Sequence, residues 1–165
     1  MSPTLRVVVC ALGFWIMATL EQALAPKLSV FGCPPDFLMV MGASIALLST
    51  PLGGAWAGFF SGLLQGALAG ANLTAYVISR ILPAFGIAWM SDLDIRIAPT
   101  VAGLIVAATT LVSQLLLMFL APPPQILPFL GATIGTAMYN GVLAIPVYSL
   151  LRRLFKGKEG AGLRL

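Results

Sequence analysis

Few residues in this chain could do chemistry, and most are single polar groups set in apolar runs. Glu21 and Gln22 close the first run, Arg80 lies near the middle of the fourth, and Asn140 lies in the sixth. Ser61 and Gln65 stand about one helical turn apart. A charge at the centre of a membrane helix costs ~2.5–3.5 kcal/mol, so Glu21 and Arg80 should face protein, water or the interface. Glu21 could bind a ligand or seat a partner helix, but its place at the end of its run favours a boundary role. Arg80 is expected to snorkel or to pair with a carboxylate. Together the two form the candidate intramembrane polar site. Ser61, Gln65 and Asn140 read as interhelical hydrogen-bonding groups, worth ~0.6 kcal/mol on average, rather than substrate contacts.

The remaining candidates point away from catalysis. Asp92 and Asp94 share a short loop with Arg96, and the chain has no histidine, so a solvated turn is expected there rather than a metal site. Cys10 and Cys33 fit no metal or redox spacing. The sequence holds no nucleophile–base pair, phosphate loop or metal-ligand cluster. A non-enzymatic protein without cofactor or metal is expected.

The elements that must position these groups follow from composition. Of 165 residues, 59% are hydrophobic and 8% charged, against about 25% charged in a soluble domain. Such a chain cannot cover a water-facing surface, so an all-α integral membrane fold is expected. A membrane helix needs ~20 mostly apolar residues, and six candidates run from about Leu5 to Ala25, Phe37 to Ser49, Pro51 to Gly70, Leu73 to Met90, Ala98 to Leu120 and Gln125 to Leu151. The first extends beyond a signal-peptide h-region and ends in the polar Glu21-Gln22, so it reads as an uncleaved span. Asp36, after Pro34 and Pro35, is placed to cap the second helix, and Pro51 suits the first turn of the third. The domain organisation is a six-helix transmembrane unit over 1–156 with a short basic tail over 157–165.

The third candidate is the most patterned stretch. Gly54, Gly58, Gly62, Gly66 and Gly70 recur every fourth residue with no ionised side chain among them. Glycines at this spacing leave a groove in which another helix can approach backbone to backbone. The groove, with Ser61 and Gln65 beside it, is expected to receive a partner helix, and Gly70 also to cap the helix C-terminus. A second small-residue series, Gly131, Gly135 and Tyr139, lies on the sixth helix. The net charge of +4 comes mostly from the C-terminal end, where Arg152, Arg153, Lys156, Lys158 and Arg164 outweigh Glu159. It reads as a cytoplasmic anchor rather than a nucleic-acid site, which puts both termini in the cytoplasm.

Three stretches carry a family resemblance. They are Cys33-Pro34-Pro35-Asp36-Phe37-Leu38, then Thr50-Pro51-Leu52-Gly53-Gly54-Ala55 leading to Gly58-Phe59-Phe60-Ser61-Gly62-Leu63-Leu64-Gln65, and finally Tyr139-Asn140-Gly141 through Pro146 to Arg152-Arg153. With their span order they resemble the rod shape-determining MreD family. Pro35, Asp36, Asn140, Arg152 and Arg153 fall on its motif positions. Gln65 departs from it, standing where the family usually has aspartate. The resemblance implies a bacterial inner-membrane scaffold of the cell-elongation machinery. It would bind MreC and act with RodA, the elongation penicillin-binding transpeptidase and, indirectly, MreB in lateral peptidoglycan synthesis. It also implies a fold similar to the S-components of energy-coupling-factor transporters. A true S-component is the alternative, with a vitamin beneath the Lys27–Asp36 loop and Glu21 and Arg80 as contacts. A lipid-metabolising membrane enzyme, the third option, lacks a paired-carboxylate signature.

Overall fold

A computed structural model describes residues 3–30, 32–91 and 97–156. Over these the chain forms six helices: α1 (Pro3–Ala23), α2 (Phe37–Ala46), α3 (Pro51–Ala69), α4 (Leu73–Ser91), α5 (Pro99–Leu120) and α6 (Ile126–Lys156). The expected Asp92–Arg96 turn and the basic tail over 157–165 lie outside the described residues. Four helices are long and apolar enough to cross a membrane: Thr4–Ala23, Leu73–Ser91, Pro99–Leu120 and Ile126–Phe155. The chain is therefore an all-α protein with membrane-spanning character.

The expectation of six full spans is corrected at α2. Its ten residues rise about 15 Å, half of a ~30 Å hydrocarbon core. Every one of the ten is buried, and α2 packs against each of the other five helices. It is a half-length core helix, apolar all round except for the buried Ser44, as a helix enclosed by protein should be. α3 is long enough, but its glycines, Ser61 and Gln65 dilute its hydropathy, and it is not among the four.

Local chemistry accounts for the helix ends. Asp36 caps α2 by accepting the Met39 N–H at 2.7 Å. Thr50 precedes Pro51 at the start of α3, and Gly70 ends it in the left-handed region at φ 59°. Pro122-Pro123-Pro124 separates α5 from α6, whereas Pro83 and Pro146 lie inside continuous helices. α6 runs five residues beyond its expected end, so Arg152 and Arg153 are helical.

The glycine groove is filled from within the chain. A Cβ on Gly54 would lie 2.4 Å from the Ala88 Cβ. On Gly58 it would meet the Arg80 carbonyl oxygen at 2.6 Å, and on Gly62 the Tyr76 carbonyl oxygen at 2.6 Å. On Gly66 it would stand 3.2 Å from Leu73 and from the Tyr76 Cβ. The groove expected to receive a partner helix thus receives α4, because α4 follows through a short turn at Gly70–Asn72 and lies back along the same face. Gly70 caps α3 and takes no part in the packing. Between α5 and α6 the close contact is at Gly103 and Gly141: a Cβ on Gly103 would meet the Gly141 carbonyl oxygen at 2.6 Å. Of the series expected on α6, Gly135 receives Cys33 of the α1–α2 connection, and Gly131 has open space beside it.

Candidate functional site

The polar groups that looked isolated in the sequence meet in one buried centre at the N-terminus of α2. Asp36 and Arg80 form an ion pair, with side chains 8% and 4% exposed. Arg80 binds Asp36 through both terminal nitrogens, and its Nη1 also donates to Ser61 Oγ at 2.8 Å. Ser61 passes the contact on by donating to the Leu38 carbonyl at 2.8 Å. A guanidinium reads a carboxylate bidentately, and that geometry makes a buried pair tolerable in apolar surroundings.

Around the pair the remaining helices are tied in. The Asp36 N–H donates to Asn140 Oδ1 at 2.9 Å, and Asn140 Nδ2 donates to Thr110 Oγ1 at 3.2 Å. The Phe37 N–H donates to Glu21 Oε2 at 2.7 Å, while Gln65 Nε2 donates to Glu21 Oε1 at 3.2 Å. Thr136 Oγ1 holds the Pro34 carbonyl at 2.9 Å, and Pro35 is fully buried. Each of the six helices contributes. Arg80, Ser61, Thr110 and Asn140 lie near the middles of their helices, so the centre sits at mid-depth. Irregular backbone at such depth is tolerated only when protein encloses it, and here the N–H groups of Asp36 and Phe37 both end on side chains.

Each sequence candidate is thereby placed. Ser61, Gln65 and Asn140 make interhelical hydrogen bonds, as expected. Arg80 pairs with a carboxylate, also as expected, and the carboxylate is Asp36. Glu21 does lie in the last turn of its helix, but it is more than a boundary residue: it fastens α1 to the start of α2 and to α3. Glu21 and Arg80, ligand contacts only in the alternative transporter reading, each point at groups of this chain. The cavity lined by Asp36, Arg80, Thr110 and Ser113 measures about 10 Å³, room for one water molecule at most. Arg152 lies apart from the centre and donates from Nη1 to the Ile97 carbonyl at 3.2 Å, while Arg153 is exposed. Thr110 and Thr136 are not among the site candidates that the sequence offers. Both sit on long apolar helices where threonine commonly bonds its own helix, and Thr110 does so with Val106 as well.

Gln65 has a local reason to be an amide. At this point the carboxylate comes from Glu21, and Gln65 supplies the donor. Gln65→Asp is expected to set two carboxylates against each other and remove that donor, lowering the detergent unfolding midpoint by the equivalent of ~1–3 kcal/mol. Glu21→Gln in the same chain should recover most of the loss. A Gln65→Asp variant as stable as the parent would refute this pairing.

No family model, curated protein or solved structure matches this chain.

Proposed function

We propose that this protein is a non-enzymatic scaffold of the bacterial inner membrane, of the MreD kind. In this reading it binds an MreC-like bitopic partner within the complex that directs lateral wall synthesis, with RodA and the penicillin-binding transpeptidase as further associates. One observation carries the proposal. The residues quoted for the resemblance, Pro35, Asp36, Gln65 and Asn140, come from distant parts of the chain and meet in one centre. There they hold helices together. Polar groups turned inward in this way suit a rigid platform whose outer faces are free for partners, not a reaction site.

The proposal includes a membrane fold similar to the transporter S-components, with α2 as a half-length element. Both termini face the cytoplasm, where Arg6 and the basic end of α6 lie together: the Arg6 guanidinium stands 5.9 Å from the Phe155 ring centre. Because α4 fills the glycine groove, the partner surface lies on another face.

Co-purification in mild detergent tests the reading. The tagged chain, expressed with its cognate MreC-like protein, is expected to give a stoichiometric complex. Expressed with an energy-coupling module, it is expected to give none. The opposite pair of results would overturn the proposal in favour of a transporter S-component.

A further inference from the structure

The bundle is open on one side. α1 touches α2 closely but α3 only sparsely, and between α1 and α3 runs an apolar trough of about 1000 Å³. Phe14 forms part of its floor, and Trp15, Trp56 and Phe60 stand exposed along it. At the end bearing Arg6 the trough continues into a more polar cup of about 460 Å³, lined by Ser49, Thr50, Ser91 and the first turn of α3. Arg6, Cys10, Ser49 and Gly53 line both spaces, so the two are continuous.

This shape is amphipathic. The apolar part is long and opens laterally between α1 and α3; the polar part is at the bundle end, where Arg152 and Arg153 also lie. Among the described residues lining the cup, Arg6 is the one charged group, and no carboxylate opposes it. The N-terminal end of α3 adds a partial positive charge there. A methylene fills about the same space as the ~30 Å³ share of a water molecule. The trough therefore holds on the order of thirty such groups, the bulk of two acyl chains.

We propose that this trough and cup bind one anionic diacyl phospholipid, chains between α1 and α3 and phosphate at Arg6. The bound lipid completes the packing of α1, which otherwise rests mainly on α2. The inference requires only that the helices lie in a membrane and is independent of the scaffold reading.

Native mass spectrometry of the full chain, exchanged in detergent against phosphatidylglycerol or phosphatidylcholine, tests it. One phosphatidylglycerol per chain should be retained, about fivefold more tightly than phosphatidylcholine, as one basic side chain at a membrane surface confers. Arg6→Gln should erase the preference and Arg6→Lys should keep it. Ala11→Trp, an exposed position that lines the trough, should release both lipids without lowering the unfolding midpoint in lipid-free detergent. Equal retention of the two lipids by the parent chain would overturn the proposal. So would lipid retained by Ala11→Trp, or crosslinking through Cys10 in membranes that places a partner helix or a second copy in the trough.

Discussion

Alanine at both Gly58 and Gly62 is expected to force α3 away from α4 and to lower stability strongly. The added Cβ atoms would lie 2.6 Å from the carbonyl oxygens of Arg80 and Tyr76, and at Gly62 also 2.7 Å from the Val77 Cα. These neighbours are backbone, so no rotamer change relieves the clash. Overpacking typically costs ~1–3 kcal/mol per site, and a rigid backbone neighbour puts these two at the upper end. The helix-propensity gain of ~1 kcal/mol per glycine replaced offsets only part of it. Because Gly58 faces the Arg80 carbonyl itself, the displacement also pulls the guanidinium from Asp36. Gly86→Ala and Gly131→Ala are the matched controls, since each Cβ would meet open space. They should be neutral or slightly stabilising. Detergent unfolding midpoints decide the matter, and a double variant that melts with the controls would refute the packing role.

The second large effect is at the ion pair. Arg80→Met should strand the Asp36 carboxylate, and Asp36→Asn should strand the guanidinium, in surroundings where both side chains are less than a tenth exposed. Breaking a buried pair by removing one partner costs ~3–5 kcal/mol. Asn at position 36 can still accept from the Met39 N–H, and Met keeps the apolar stem of Arg80, so the loss reports the charge and not the cap or the packing. The double variant Asp36→Asn/Arg80→Met leaves no orphan charge and should cost clearly less than the sum of the single changes. A double-mutant cycle in the same detergent measures the difference. Additive losses would mean that the two side chains do not act as a pair.

These two results bear differently on function. The first tests whether the glycine register belongs to the fold, as its contacts with α4 require. The second tests whether the polar centre is a structural clamp. If the centre is a clamp, the Asp36 and Arg80 variants should lose the proposed partner complex only in step with their loss of folded protein.

Much of this molecule was legible in its residues. Apolar runs separated by Pro34-Pro35, Thr50-Pro51, Gly70-Ala71-Asn72, the polar stretch 91–96 and Pro122-Pro123-Pro124 marked six helices, because proline, glycine and clustered charge act within one turn of chain. The Asp36 cap and the αL position of Gly70 are equally local. The length of α2 was less legible. Leu47 and Leu48 continue its apolar run, while the helix ends at Ala46 and a tight turn follows.

Membrane class, helix count, caps and the presence of a close-packing glycine register were determined by the sequence alone, since each rests on composition or on spacing within a few residues. Tertiary structure decided which helix fills the register, and which carboxylate meets Arg80 from 44 positions away. It also decided that Glu21 serves the Phe37 amide. In an apolar medium every helix face attracts its neighbours about equally, so composition does not choose among pairings. Backbone-level fit and the cost of leaving a buried charge or N–H without a partner make that choice, and both depend on all six helices being in place.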